Sequence, residues 1–297
     1  MDGAPRADEG AGPATWPSVA APRDPARAAA GENFPVVGLL TRGPRAQAIR
    51  AFYAFARAAD DVADDPHVPA EAKLARLDAF DRGLDGASGG AAEGVALVAA
   101  ARGFRKADRM VNSARQLLGA FRKDARGTAY PDWDGLMRYC AQSADPVGRF
   151  LLAVHDEDEA LAECSDPLCS ALQVLNHLQD LKADRDRLGR VYLPADMLER
   201  AGAAEADLSA PALSAPARRA VDAALDRCDA LIERAAPLPR RVRSRALRAQ
   251  AAATWWLARR LSARLRRDDP LAGRVALRRA DFARAGLWGI LAAGRPG

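Results

Sequence analysis

The chain has 297 residues, 49% hydrophobic and 28% charged, with a net charge of +5. That size and balance describe a chain able to bury a full core, and exclude a collagen repeat, a disulfide miniprotein and a wholly disordered protein. The charge is uneven: residues 231 to 297 hold 16 arginines against Glu233, Asp268, Asp269 and Asp281, a net of +12, so the first 230 residues carry −7. A basic segment of this kind suits nucleic acid, anionic lipid or solvated helix faces alike.

Residues 1–30 are rich in Ala and Pro, mix Asp2, Asp8 and Glu9 with Arg6, Arg23 and Arg27, and lack the compact apolar core of a secretory signal. They read as a disordered tail ahead of a single domain over residues 31–297. From there Pro and Gly punctuate long Ala/Leu/Arg stretches with apolar residues at three- and four-residue intervals, which predicts an all-α fold.

The first helix is predicted from Gly43-Pro44 to about Asp64, stopped by Pro66, and a short one follows over Pro69 to Arg82. Gly83 to Gly94 reads as a flexible loop. Further helices are predicted over Val95 to Lys123, Trp133 to His155, Asp158 to Arg185, Pro211 to Ala235, Pro239 to Arg266 and Arg278 to Leu291. No uncharged apolar run nears the roughly 18 residues of a spanning helix. Cys140, Cys164, Cys169 and Cys228 form no CxxC pair, which points to a reducing cytoplasm. There is no internal repeat, GxGxxG, Walker loop or GxSxG.

Two predicted helices carry the chemistry. In YAFARAADDVADD, Tyr53, Arg57, Asp60 and Asp64 stand at offsets 0, 4, 7 and 11, within about 60° of one helix face, with Asp61 and Asp65 flanking it. In ALQVLNHLQDLKADRDRLGRVYLP, Gln173, Asn176, Asp180 and Asp184 share a face in the same way, on a helix otherwise rich in Leu and Val. Carboxylates stacked on one face repel, and polar groups on so apolar a helix are costly without partners. Facing each other across a bundle, the two helices would form a cage of hard oxygen ligands suited to Mg²⁺ shared with a substrate diphosphate. Arg57 is placed for a diphosphate oxygen, and Mg²⁺ would neutralise a leaving diphosphate.

With both segments present, the chain resembles the squalene/phytoene synthase family, whose Asp-rich helices look like DDVAD (Asp60 to Asp64) and QVLNHLQDLKAD (Gln173 to Asp184). Within it the chain is most similar to the bacterial hydroxysqualene-forming branch of hopanoid biosynthesis, through ENFPV (Glu32 to Val36), YAFARAADD, YCAQSADPVGR (Tyr139 to Arg149) and GRVYLP (Gly189 to Pro194). The resemblance implies an isoprenoid synthase bundle with a central cavity. It implies Mg²⁺ at Asp60, Asp61, Asp64, Asn176, Asp180 and Asp184, and active-site roles for Tyr53, Arg57 and Gln173. It also implies that Phe34, Tyr139, Val147, Gly148, Leu151, Leu168 and Leu172 line the prenyl-chain cavity, against ordinary core packing as the alternative.

The implied reaction is Mg²⁺-assisted conversion of presqualene diphosphate and water to hydroxysqualene and diphosphate, with no nicotinamide cofactor. Condensation of two farnesyl diphosphates to squalene, or of two geranylgeranyl diphosphates to phytoene, is the alternative. Two departures stand out: SADPVG at Ser143 to Gly148 where SANPVG is expected, and Gln179 where many phytoene synthases carry Arg. The implied partners are a prenyl diphosphate substrate and a presqualene diphosphate synthase that hands it over, with no nucleic acid. The implied location is the cytoplasm, in peripheral contact with the inner face of the membrane.

Of the basic residues after the second acidic face, Lys182, Arg185, Arg187 and Arg190, the last is taken as a diphosphate contact. His177, close to the ligand face, reads as support or packing, and His67 and His155 as structural or exposed. Trp255, Trp256 and Trp288 in the basic segment suit either a helix at an anionic membrane or the arginine-solvated outside of the bundle.

Overall fold

The computed structural model describes residues 41–127 and 129–294, and every regular element among them is helical. The expected tail over residues 1–30 and the cavity residue Phe34 lie outside the described residues.

Helix α1 (Gly43–Asp64) starts with Pro in its first turn, where a missing N–H costs nothing, and ends ahead of Pro66 as predicted. It buries Ile49, Phe52, Phe55, Ala59 and Ala63, a three-and-four spacing that leaves Tyr53, Arg57 and Asp60 on another face. Helix α2 (Ala70–Leu84) and α3 (Ala92–Ala101) meet at Gly83 and Gly94, both buried. A Cβ on Gly94 would stand 2.8 Å from the Gly83 carbonyl carbon, so the glycines permit a close helix crossing. The stretch expected to be a flexible loop is an exposed turn only over residues 85–89, where Gly86 and Gly89 take positive φ, while Gly83 and Gly94 at its ends are packed into the helix crossing.

Three expected helices are each divided. The 95–123 prediction becomes α3 and α4 (Ala107–Arg126), separated at Gly103 with φ +88°. The 133–155 prediction becomes α5 (Trp133–Ser143) and α6 (Asp145–Val154), with Pro146, which lacks the N–H to continue the ladder of α5, in the first turn of α6. The 158–185 prediction becomes a 3₁₀ turn, α7 (Ala162–Gln179) and α8 (Leu181–Leu188), with Asp180 between them at φ −99° and ψ 13°. Helix α9 (Ala195–Ala201), unanticipated, precedes α10 (Ala215–Ala235), α11 (Leu238–Arg241), α12 (Arg245–Leu265) and α13 (Arg279–Ala293).

The core has two parts. One gathers α1 to α4 with α6, where Phe52 and Phe150 stack at 3.9 Å. The other gathers α5, α7, α9, α10 and α12, and Leu151 packs against both. The uneven charge finds its counterpart here: Arg241 meets Glu163, Arg243 meets Glu157, Arg266 meets Asp226 and Asp229, and Arg274 meets Asp180. The arginine-rich C-terminal segment is therefore partly spent on carboxylates from the acidic portion.

Asp145, the departure within SADPVG, is buried at the start of α6 and accepts a hydrogen bond from Ser170 Oγ at 2.7 Å. Burial pushes its carboxyl up to about 7, against the help of Ser170. An acid whose folded value is raised is fully accommodated below about 4, and its contribution to stability is lost as pH rises towards 7, at about 1.4 kcal/mol per pH unit at most. Asp145→Asn keeps the acceptor for Ser170 without the charge. Its melting temperature is expected to exceed that of the parent by a margin that widens from pH 4 to pH 7 and then levels, measured by thermal unfolding across that range.

Candidate active site

A cavity of about 190 Å³ draws walls from both parts of the core: Tyr53, Ala56, Arg57 and Asp60 of α1, Leu117 and Phe121 of α4, Tyr139 and Ser143 of α5, Val147 of α6 and Gln173 of α7. Its lining joins the polar and charged Tyr53, Arg57, Asp60, Tyr139, Ser143 and Gln173 with the apolar Ala56, Leu117, Phe121 and Val147. A ligand with an anionic head and a hydrocarbon body fits such a mixed lining.

The first acidic segment meets its expected cations. Arg57 donates to Asp60 at 3.2 Å and to Asp61 at 2.7 Å. Arg190, only 12% exposed, donates from Nη1 to Asp64 at 2.6 Å and from Nη2 to the carbonyls of Ala63 and Asp124. Arg187 stands 3.9 Å from Asp64. The loop after α8 is thereby tied to the end of α1, and the two acidic segments come together. Asp124, buried on α4, accepts from the Tyr139 hydroxyl at 2.9 Å.

So many carboxylates do not all ionise freely. Burial and the charge of Asp64 push the Asp60 carboxyl up to about 7 in spite of Arg57, with Asp124 and Asp61 adding to the effect. Burial raises Asp124 to about 6 in spite of Arg190 and Tyr139. Clustered acids with raised values around a cavity are the electrostatic mark of a functional site.

The second acidic segment differs from the single face that its spacing predicts. Asp180 sits at the break between α7 and α8, where its carboxylate accepts from Arg274 Nε at 2.8 Å. Gln179, buried, donates its amide to the Val275 carbonyl and so holds the segment that brings Arg274 to Asp180. Gln173 Nε2 lies 3.1 Å from His177 Nε2, and His177 Nδ1 lies 3.8 Å from Asp184. The Nδ1–H tautomer satisfies both contacts, with Gln173 donating to Nε2. His177 also stacks on Tyr192 at 3.5 Å, which fixes the ring. Asn176 is half-buried one turn before Asp180, whose backbone N–H donates to the Asn176 carbonyl at 2.9 Å.

Of the residues singled out in the sequence, Tyr53, Arg57, Asp60, Tyr139, Val147 and Gln173 line this cavity. Gly148 does not: a Cβ there would meet Ser165 Oγ at 2.4 Å and Cys169 Sγ at 2.7 Å, so its role is to let α6 lie close on α7. Leu168 is buried in the core, and Leu151 and Leu172 pack against it. Asp124, Arg274 and the cavity residues Leu117, Phe121 and Ser143 escaped the sequence reading, since they lie far along the chain from the two acidic motifs; Tyr192, within the second segment, gave no signal of its stacking on His177.

The expected cage is likewise modified. Among the described residues no three His, Cys, Asp or Glu side chains are gathered as a chelating group, because arginines stand against Asp60, Asp61, Asp64 and Asp180. The donor chemistry nonetheless fits Mg²⁺: the oxygens are hard carboxylates and an amide, and Asp60 is raised first by burial and then by the charge of Asp64 close by, both of which a bound cation would offset.

The chain belongs to the squalene/phytoene synthase family, whose model matches residues 27–281. A hydroxysqualene synthase of Zymomonas mobilis subsp. mobilis is 38% identical over 266 residues, 89% of this chain and 88% of that relative. A hydroxysqualene synthase of Rhodopseudomonas palustris is 36% identical, covering 84% of this chain and 85% of its own. Among solved structures, a squalene synthase HpnC from Alicyclobacillus acidocaldarius superposes with a TM-score of 0.66 at 31% identity, over 77% of this chain and 85% of that one. The fold is thus the helical synthase fold that the acidic motifs imply.

Tyr139→Phe would leave the buried Asp124 carboxylate without its hydroxyl donor, at a cost of about 1–3 kcal/mol. Chemical denaturation should show that loss, while Tyr192→Phe, which leaves the 2.9 Å bond intact, should lose less.

Proposed function

We propose that this chain is a hydroxysqualene synthase, converting presqualene diphosphate and water to hydroxysqualene and diphosphate. One observation carries the reading: the chain is 38% identical to such a synthase over 89% of its length, and Asp60 of the first acidic segment and Gln173 of the second line one cavity together with Leu117, Phe121 and Val147. Condensation of farnesyl or geranylgeranyl diphosphate uses the same family fold but has weaker support from relatives, such as a phytoene synthase of Mycobacterium tuberculosis that is 34% identical over 59% of this chain.

In this reading Asp60, Asp61 and Asp64, with Asn176, Asp180 and Asp184, hold Mg²⁺, which when bound neutralises the leaving diphosphate and eases C–O cleavage. Arg57, Arg190 and Arg274 lie against those carboxylates and offer guanidinium donors to phosphate oxygens. The C–O electron pair leaves with diphosphate, and the cyclopropylcarbinyl cation rearranges beside Val147 and the buried Leu117 and Phe121. The Phe121 ring face favours positive charge. One water then adds its oxygen to the cation and loses a proton, giving the alcohol without any reductant. Gln173, held by His177 in the cavity wall, is the polar group that orients this water.

The substrate comes from a separate synthase in this scheme. Zymomonas mobilis has a presqualene diphosphate synthase that is 32% identical to this chain over 162 residues. No helix among the described residues is long and apolar enough to cross a membrane, and we place the chain in the cytoplasm, working at the inner membrane face.

The test is incubation of purified protein and Mg²⁺ with presqualene diphosphate or farnesyl diphosphate, without nicotinamide cofactor, and mass spectrometry of the lipids. Hydroxysqualene from presqualene diphosphate is expected; product from farnesyl diphosphate would replace this reading with a condensing synthase. EDTA should stop turnover and excess Mg²⁺ restore it. Asp60→Ala and Asp180→Ala should each lower turnover at least 100-fold with helical circular dichroism unchanged, and a fully active Asp180→Ala protein would refute the metal assignment.

A further inference from the structure

Helix α13 is built inside out. Its buried positions are Asp281, Ala285, Gly289 and Ala293, a stripe of small residues after one acid, and a Cβ on Gly289 would stand 2.8 Å from the Ala249 carbonyl oxygen of α12. Its large apolar side chains point outward: Phe282 is 39% exposed, Leu287 58%, Trp288 47%, Ile290 66% and Leu291 56%. Elsewhere among the described residues only Val95 and Val147 are large, apolar and so exposed. An ordinary surface helix does the reverse, burying its large apolar residues and facing water with polar ones. The inversion is not a matter of loose attachment, because Asp281 accepts from Arg264 Nη2 at 2.6 Å in a buried pair and also from the Arg278 backbone N–H.

Charge decides what this face meets. Arg278, Arg279 and Arg284 are exposed on or beside the first half of α13, and no charge falls between Ala285 and Gly294. Arg284 lies between Leu291 and Trp288 around the helix, within the apolar face itself. An apolar contact with a second copy through this face would bury Arg284, which lies within it, with no carboxylate of α13 beside it on that face. An anionic lipid surface would instead pair the arginines with phosphates while the apolar half enters the headgroup boundary. At about 1.5 Å per residue the helix is also too short to span a bilayer, so it lies in the interface.

Trp255 and Trp256, grouped with Trp288 by the sequence, do not share this face. Both are partly buried against the core, Trp255 donates Nε1–H to the Ile232 carbonyl at 2.9 Å, and Arg259 and Arg260 stand over their rings.

We propose that α13 is a membrane-docking helix that seats the protein on anionic phospholipid through Leu287, Trp288, Ile290 and Leu291, with Arg278, Arg279 and Arg284 on the headgroups. The assignment rests on the helix and not on the reaction, so it stands or falls by binding alone. Sedimentation of the full chain with vesicles of phosphatidylcholine and phosphatidylglycerol, 1:1, is the measurement, with pure phosphatidylcholine vesicles alongside. The wild type is expected to partition to the anionic vesicles, and Leu287→Glu/Ile290→Glu to partition at least ten-fold less. Arg279→Glu/Arg284→Glu should lose the preference for anionic lipid but keep residual apolar binding. All these positions face outward, so circular dichroism should be unchanged and turnover of detergent-dispersed substrate preserved. Equal sedimentation of wild type and Leu287→Glu/Ile290→Glu would overturn the proposal. So would a wild type that stays in the supernatant with both vesicles, and light scattering that gives a dimer which Leu287→Glu/Ile290→Glu turns into a monomer would then assign the face to a second copy.

Discussion

The repulsion among carboxylates at one end of the cavity is the constraint around which the site is arranged. Asp60, Asp61, Asp64 and Asp124 come from α1 and α4, and their charges cannot all be desolvated together. Arg57 answers Asp60 and Asp61 from one turn away on the same helix. Arg190 answers Asp64 from 126 residues away, and it also donates to the Asp124 carbonyl, so one side chain joins α1, α4 and the segment after α8. Burial, with the remaining charge of Asp64 behind it, holds the Asp60 carboxyl near 7, a cost that a bound cation would relieve and that a fold selected for stability alone would have no reason to keep.

A raised acid is not by itself the signature of chemistry, as Asp145 shows. Its carboxyl is also pushed to about 7, and by burial first as for Asp60, yet its partner is Ser170 and the walls of the cavity do not include it. Asp60 differs in kind: other carboxylates surround it and it faces the cavity. The neighbours, not the value, separate a packed acid from a working one.

Legibility in the sequence followed the range of the interactions. The first acidic face was readable because its residues belong to one unbroken helix, α1, whose period alone places Tyr53, Arg57 and Asp60 together. The second was readable in composition but not in shape, since the break at Asp180 turns it towards Arg274. Arg274 and Asp124 carried no local signal, because each reaches its partner only when distant helices pack. Gly83, Gly94 and Gly148 misled in the opposite sense: their sequence context suggests freedom or a cavity wall, while the backbone contacts they allow are among the closest in the fold. The same limit applied to the tryptophans, where three residues of one composition divide into two that pack and one that faces out.

The basic C-terminal segment then has two separable tasks. Arginines such as Arg241, Arg243, Arg266 and Arg274 reach back to acids of the earlier helices and so belong to the fold or the site. Those around the start of α13 stay exposed beside an apolar ridge, with the buried Arg264–Asp281 pair fixing the helix beneath them. A substrate and product of thirty carbons scarcely enter water, so a cavity of this kind gains from lying close to lipid. An outward apolar helix anchored by small residues and a buried ion pair supplies that proximity without a spanning segment, which would have required the charge-free run to be about twice as long.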